Sequence, residues 1–177
     1  DFNVVVFTGE DLHLPRASPS QRRKFLDRAV FGTRPAYLAS VRDYERVLRN
    51  RNATLMASSH GRASGTLLDV FDEQLSKLGA ELIASRLDYL AEIRPRFQSV
   101  FQAITQMSGM ASVDYTAAGM PPEPCRDSLA AELLARLTAS RKSDLARQTT
   151  SVGPHRDDLH WTLDGRPARA FASQGQL

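Results

Sequence analysis

Apolar residues recur at every third or fourth position along most of the chain, a spacing that predicts a mainly helical protein. The first helical segment covers residues 18–32. Ser18 and Gln21 suit the N-cap and N3 positions of a capping box, and Gly32 suits the C-terminal end. The apolar face predicted for this helix consists of Phe25, Leu26, Ala29 and Val30.

Two longer helices are predicted on either side of a Gly/Ser-rich turn at residues 58–65. The apolar positions of the first are Tyr37, Val41, Tyr44, Leu48 and Leu55, and those of the second include Phe71, Leu75, Leu78, Leu82, Tyr89 and Ile93. Thr66 is the predicted cap of the second helix, which continues past a kink at Pro95. Two long helices joined by a short turn predict an antiparallel helical hairpin.

Such a hairpin leaves several apolar side chains without a partner. They are Leu68, Ile83, Leu87 and Leu90. Because burying a leucine contributes about 1.5–3 kcal/mol, these residues favour contact with further helices. The first helix and a later, leucine-rich segment from Ser128 to Arg147 can supply that contact. The sequence therefore predicts a small helical bundle.

Strand signals occur on both sides of this bundle. Residues 2–7 form a nearly continuous run of strand formers, and a short strand is predicted within residues 112–125. Near the end of the chain, apolar residues alternate through residues 159–163, and Asp164-Gly165 then predicts a hairpin turn with a return toward Phe171. Pro167 indicates that the returning strand lies at a sheet edge. The order of elements predicts a helical bundle inserted into a sheet-containing domain that this chain samples in part.

Composition is that of an ordinary globular protein. Of the 177 residues, 42% are hydrophobic and 24% are charged, and no apolar run is long enough to cross a bilayer. Cys125 is the one cysteine, so an internal disulfide framework is excluded. No basic and then apolar signal segment begins the sequence. These features predict an intracellular, reducing compartment.

Positive charge is concentrated in one part of the chain. Residues 16–51 hold ten Lys and Arg against three acids, a local balance of +7, whereas the whole chain carries +3. Arg42, Arg46 and Arg49 fall on the helix face opposite the apolar stripe. Such a stripe is either a solvated helix face or the electrostatic footprint of phosphate binding.

The segment "TTSVGPHRDDLHW" concentrates residue types that are used in catalysis. His-Arg-Asp occurs in the kinase catalytic loop, but Thr162 stands where that loop has asparagine, and no Gly-rich loop precedes it. A metal site would have to use His155, Asp157, Asp158 and His160, whose spacing matches no standard ligand pattern. The simplest interpretation is a turn that enters a strand, with Arg156 paired to an aspartate. Cys125, beside three prolines, is interpreted as a loop residue rather than a nucleophile.

The last residues, "FASQGQL", predict the opening of a helix. Ser173 is a suitable N-cap, Gly175 permits close backbone approach, and Gln176 can complete a capping box. Since a helix start is an unusual place for a domain to end, and since the chain also begins abruptly with a strand, both ends are interpreted as cuts through a larger structure.

Several segments together resemble the RecF family of bacterial recombination mediators, which are ABC/SMC-type ATPases. They are "VVVFTGEDLHL", "SPSQRRKFLDRAVF", "PAYLASVRDYERVLRNRNATL", "SVGPHRDDLHWTLDGRPAR" and "FASQGQ". Three positions depart from the family pattern: Gly9 stands where proline is usual, Gln174 where many relatives have a second glycine, and Leu177 where glutamine is usual.

The resemblance implies a helical arm inserted into a partial ABC-type ATPase head. Residues 1–15 would end one head lobe, residues 16–150 would form the arm, and residues 151–177 would return as far as the ABC signature motif. The resemblance assigns Ser173, Gly175 and Gln176 to that motif, which contacts the γ-phosphate of ATP held by the opposite subunit. The N-terminal end of a helix suits this role because its free N–H groups bind anions.

The resemblance also implies a function for the parent protein. That protein would bind ATP and Mg²⁺, dimerise on DNA, hydrolyse ATP slowly and help to load recombinase at single-stranded gaps in repair, replication and the SOS response. DNA, single- or double-stranded, and other mediator proteins would be its partners, with Arg42, Arg46 and Arg49 as DNA contacts, in the cytoplasm at the nucleoid. The chain holds no phosphate-loop motif, so it is not a complete ATPase. The alternative is a non-enzymatic helical DNA-binding or adaptor module that binds no nucleotide.

Overall fold

Helices dominate the protein in a computed structural model, which describes residues 11–58, 65–106, 108–117 and 125–171. The helices of these ranges are α1 (Pro19–Thr33), α2 (Tyr37–Ser58), α3 (Gly65–Thr105), α4 (Leu129–Arg147) and α5 (Ala168–Phe171), with short 3-10 helices at Asp11–Arg16 and Arg126–Ser128. The strands are β1 (Ala111–Thr116), β2 (Asp158–Leu163) and β3 (Arg166–Pro167). The predicted fold class, mainly α with a few strands, is confirmed.

The start of α1 is the predicted capping box. The Gln21 N–H donates to the Ser18 hydroxyl at 3.3 Å, and the Ser18 N–H donates to the Gln21 side-chain oxygen at 3.0 Å. The helix extends one residue past Gly32, to Thr33. The predicted apolar face was wrong at Phe25, which is 37% exposed, because the buried positions of α1 are spaced by four and are Arg22, Leu26 and Val30.

The long helices α2 and α3 agree with the periodicity. Tyr37, Tyr44 and Leu55 are buried on α2, and Val47 joins them. α3 begins at Gly65, so the predicted cap Thr66 lies in its first turn, and the helix continues through Pro95. The predicted turn at 58–65 lies almost wholly outside the described residues. None of the described helices is long and apolar enough to span a membrane.

The chain forms two compact units. The first comprises residues 1–34, 86–116 and 157–177, and the second comprises residues 35–85 and 117–156. In the first unit α1 and the C-terminal part of α3 pack with the sheet. Its buried apolar side chains include Leu26, Val30, Leu90, Val113, Leu159 and Ala168.

The second unit is built from α2, the N-terminal part of α3 and α4. Its core holds the buried faces of all three helices, including Tyr44, Leu55, Leu68, Leu75, Leu82, Ile83, Leu129, Leu133 and Leu137. Gly79 marks a close approach, because a Cβ there would lie 3.1 Å from the Leu133 side chain and 3.2 Å from Pro154. α4 thus packs against α3 of the helical hairpin, as predicted for the later leucine-rich segment.

The sheet is antiparallel with the order β1-β2-β3. β1 and β2 are paired along their whole length, with Tyr115 opposite Leu159. Asp164 and Gly165 have φ values of 50° and 74°, which are typical of the tight turn that the sequence predicts. Pro167 lies on the edge strand as expected, but β3 is only two residues long and the chain becomes helical at Ala168. The strand predicted at residues 2–7 lies outside the described residues.

Candidate functional site

The arginine stripe of α2 is exposed, as its helical spacing predicts. Arg46 contacts Asp43 at 2.8 Å and Arg49 contacts Glu45 at 3.9 Å, with both arginine side chains still 65–70% exposed. Exposed pairs of this kind contribute only about 0.3–0.5 kcal/mol, so a phosphate could displace them. Because two of the three arginines have an acidic neighbour, the net charge of residues 42–49 is +1 rather than +3.

Much of the local +7 charge faces inward. Arg22 is 6% exposed and Arg51 is fully buried, and each is paired with carboxylates. Arg34, at the end of α1, forms ion pairs with Glu92 and Asp88 of α3. The count of basic residues therefore overstates the positive surface of this part of the chain.

The residues assigned to the signature motif, Ser173, Gly175 and Gln176, lie outside the described residues. The hairpin of β2 and β3 and the short helix α5 lead toward them and end at Phe171. Their role in binding nucleotide stays a prediction.

The Gly-Pro-His-Arg-Asp-Asp segment begins with a glycine that the fold requires. Gly153 has a φ of +124°, and a Cβ at this position would collide with the Tyr44 hydroxyl. That hydroxyl is 2.7 Å from Nδ1 of His155, whose Nε2 is 3.0 Å from the Thr150 carbonyl. A carbonyl can only accept, so Nε2 donates to it, which leaves Nδ1 of a neutral ring to accept from Tyr44. His155 therefore has a structural partner on each nitrogen.

Among the described residues no aspartate pairs with Arg156, contrary to the sequence interpretation. Its Nε and Nη2 donate to the Thr150 carbonyl at 3.1 and 2.9 Å, and Nη2 also reaches the Thr149 hydroxyl at 3.3 Å. Thr150 thus accepts from both His155 and Arg156 through one carbonyl oxygen. These bonds hold the loop in the second unit.

The two aspartates that follow bond within the first unit. Asp158 accepts from Nε and Nη2 of Arg22 at 2.7 and 2.6 Å, a bidentate pair. Asp157 accepts a hydrogen bond from the Tyr115 hydroxyl, and its backbone carbonyl accepts from Arg23 at 2.8 Å. The fold thereby joins two segments, "RRKFLD" and "HRDD", that are about 130 residues apart in the sequence.

A buried charge cluster surrounds Asp157. Arg86 lies 4.0 Å from the Asp157 carboxylate and 2.9 Å from that of Asp27. Burial raises the pKa of Tyr115 well above its ordinary value, and although Arg86 opposes this, Asp157 adds to it. Tyr115 is therefore a neutral donor to Asp157. Among the described residues, no group of three or more His, Cys, Asp or Glu side chains is arranged to hold a metal ion.

The second unit contains a charge cluster centred on Arg51. Its Nε donates to Asp72 of α3 at 2.6 Å, and its Nη1 donates to Asp144 of α4 at 2.8 Å and to the Thr150 hydroxyl at 2.9 Å. Arg51, Asp72 and Asp144 are all fully buried. Arg141 extends the cluster to the surface by donating to the second Asp72 oxygen at 2.7 Å.

Sequence reasoning missed these buried groups, although one signal for them was present. Arg51 lies three residues after Leu48 and four before Leu55, and Arg22 lies four before Leu26. A charged residue in phase with an apolar stripe is directed toward the core, where it needs a partner of opposite charge.

Comparison with known proteins finds curated relatives that share one description and match almost the whole chain. No protein-family model matches the chain. A Myxococcus xanthus protein described as DNA replication and repair protein RecF is 42% identical over 177 residues, covering 98% of this chain and 46% of the relative. A Heliobacterium modesticaldum protein with the same description is 40% identical over 174 residues, covering 98% of this chain and 46% of the relative. The chain spans about half the length of the curated relatives it matches.

Two solved structures share the fold. One, described as the recombination mediator protein RecF-ATP in the RecFOR pathway, has a TM-score of 0.90 and 32% identity, and covers 99% of this chain and 47% of its own. The other, described as RecF-ATPrS in the same pathway, has a TM-score of 0.88 and 31% identity, and covers 96% of this chain and 46% of its own. The resemblance to the RecF family is confirmed.

Replacing Arg51 tests the cluster of the second unit. Arg51→Met leaves Asp144 and one oxygen of Asp72 buried without their cation, so we expect the free energy of unfolding to fall by about 3–5 kcal/mol. Arg49→Met, at an exposed position on the same helix, is the control and should change it by less than about 0.5 kcal/mol. Urea titration measures both. Equal effects of the two substitutions would contradict the importance of the cluster.

The Arg22–Asp158 pair predicts a dependence of stability on pH. Burial raises the pKa of Asp158, but hydrogen bonds from Arg22 and the Leu159 N–H, with the charges of Arg22 and His160, bring it below the ordinary value of 3.8. A carboxyl whose pKa is lower in the folded state stabilises the fold above its unfolded pKa. That stability is lost as the pH falls through the folded pKa.

We therefore expect acidification below about pH 4 to destabilise the wild type more steeply than Asp158→Asn. Urea titrations at a series of pH values measure the slopes. Glu73→Gln, at an exposed position of α3, controls for the loss of one carboxyl group. Parallel curves for the wild type and Asp158→Asn would contradict the prediction.

Proposed function

On the premise that the chain is RecF-like in sequence and fold over its whole length, we propose that it belongs to a DNA-repair protein of the recombination-mediator type. The observation that carries this proposal is the match along 98% of the chain at 42% identity, together with structural neighbours described as RecF in the RecFOR pathway. Because the chain spans about half of those relatives, the activity belongs to a longer parent protein.

The chain supplies three parts of that parent. Residues 1–15 end a head lobe, residues 16–150 form the helical arm, and residues 151–177 return to the head and reach the signature motif. The compact helical unit of residues 35–85 and 117–156 supports an arm that is folded around its own core.

ATP is the nucleotide of this parent. Support comes from the structural neighbour described as RecF-ATP. Ser173, Gly175 and Gln176 contact the γ-phosphate held by the opposite subunit, through a hydroxyl and the free N–H groups of a helix start. Parts of the parent outside this chain hold Mg²⁺ and the rest of the phosphate chain. Two chains then assemble each site, so ATP binding drives dimerisation and slow hydrolysis dissolves the dimer.

DNA is the macromolecular partner, and the exposed stripe of Arg42, Arg46 and Arg49 is a contact with its phosphates. Three arginines at helical spacing can each neutralise one phosphate. The protein acts in the cytoplasm at the nucleoid, with other mediator proteins, where recombinase is loaded at single-stranded gaps during recombination, replication and the SOS response.

The stripe is tested by salt dependence in the full-length parent. Replacing Arg42, Arg46 and Arg49 together with alanine should flatten the slope of log affinity against log salt by about two to three units, since up to three phosphate contacts are lost. Fluorescence anisotropy on gapped DNA at several salt concentrations gives the slope.

The control replaces three exposed cations elsewhere in the helical unit, Lys77, Lys142 and Arg147. This variant loses the same charge, so a general electrostatic effect would flatten both slopes equally. An unchanged slope for the arginine variant would show that the stripe is only a solvated helix face.

The signature assignment is tested by Ser173→Arg in the full-length parent. The long side chain should fill the space for the γ-phosphate and abolish ATP-driven dimerisation, while each subunit still binds ATP through its own phosphate loop. Ser173→Ala should be milder, because it loses a cap and one hydrogen bond, about 1–3 kcal/mol. Sedimentation with and without ATP measures dimerisation.

Ser143→Arg, at an exposed position of α4, is the matched control and should dimerise normally. If Ser173→Arg dimerises like the wild type, the motif is not the contact between subunits. A parent that binds DNA but no ATP at all would favour the adaptor function instead.

A further inference from the structure

The bidentate pair of Arg22 and Asp158 lies where the chain enters the hairpin that leads to Ser173. Asp158 is the first residue of β2, and from it the chain passes through β3 and α5 to Phe171, two residues before Ser173. The direction in which β2 starts therefore affects the position of the elements that follow it, β3 and α5.

The pair is well built for fixing that direction. Two parallel hydrogen bonds of 2.7 and 2.6 Å join a planar guanidinium to a carboxylate, which sets orientation as well as distance. The Arg22 side chain is 7% exposed and that of Asp158 is 20% exposed, so water competes little for the bonds. Arg22 also donates to the Ala17 carbonyl, which ties its guanidinium to the start of α1.

The residue before Asp158 is held as firmly. The Asp157 carbonyl accepts from Arg23 of α1 at 2.8 Å, and its carboxylate accepts from Tyr115 of β1. Two neighbouring backbone positions are thus fixed from α1 and β1. By contrast, β3, the second strand of the hairpin, is only two residues long and pairs with β2 over that short stretch.

We propose that Arg22 and Asp158 are positioning residues for the signature segment, acting by fixing the start of β2 against α1. This inference rests on the proposed function, in which Ser173 meets the nucleotide of the opposite subunit. β2 is also paired with β1 along its whole length, so the pair and the β1 ladder fix its direction together. A displacement of about 1 Å at a site can reduce its function on the order of 100-fold.

The test uses the full-length parent and three measurements: melting temperature, ATP affinity of the isolated subunit, and ATP-driven dimerisation by sedimentation. Arg22→Gln and Asp158→Asn should weaken dimerisation by about 10- to 100-fold while ATP affinity stays within about twofold. Arg22→Lys keeps the charge but loses the fork of donors, so it should be nearly as defective as Arg22→Gln.

Arg34→Gln is the control for loss of stability. It removes another arginine that ties α1 to α3 in the same unit, through ion pairs with Asp88 and Glu92. A purely structural role of Arg22 predicts that dimerisation falls in proportion to the melting temperature in both variants. A positioning role predicts that Arg34→Gln dimerises normally even when it loses as much stability as Arg22→Gln.

Ser173→Arg in the same assay separates the two proposals. If Ser173→Arg abolishes dimerisation and the pair variants dimerise like the wild type, the positioning role is wrong and the proposed function stands. If Ser173→Arg dimerises normally, both the positioning role and the proposed function are wrong.

Should Arg22→Gln fail to fold, Arg22→Lys and Asp158→Glu decide, because these two variants keep the charges and change only the geometry. Normal dimerisation in both variants would overturn the positioning role.

Discussion

The helical unit depends on Arg51, because its guanidinium joins α2 to α3 and to the segment from Asp144 to Thr150. Asp72 of α3, Asp144 of α4 and the Thr150 hydroxyl all accept from it in a fully buried position. Removing Arg51 would leave Asp144 and one oxygen of Asp72 buried without their cation, which is among the costliest changes a core can suffer. Apolar packing brings these helices together, and the directional bonds of a satisfied polar network fix one arrangement of them.

The first unit uses the same chemistry at the entry to its sheet. Arg22 holds Asp158, and Arg86 lies between Asp27 and Asp157. Arginine suits this task because its planar fork can satisfy both oxygens of a carboxylate away from water. In both units basic residues therefore act inside the fold, and the positive charge left on the surface of α2 is smaller than the sequence count indicates.

The Gly-Pro-His-Arg-Asp-Asp segment carries the residue types of a catalytic loop, and the fold uses them for structure. His155 and Arg156 bond within the helical unit, whereas Asp157 and Asp158 bond within the first unit. Gly153 is required because the Tyr44 hydroxyl occupies the space of a side chain. A dense group of reactive residues in a sequence is thus not by itself a catalytic site, and the partners of each side chain decide its role.

The sequence by itself determined the helices, the capping box of Ser18 and Gln21, and the turn at Asp164-Gly165, because each depends on residues within one or two turns of chain. It also placed Arg51 at the helical spacing of the apolar stripe, which directs this residue into the core. Only the tertiary structure decided which acids meet that arginine, and that Arg22 rather than Phe25 is buried on α1. The partners of Arg51 are 21 and 93 residues away, and that of Arg22 is 136 residues away. No local pattern specifies such pairs, because they exist only once the helices have packed.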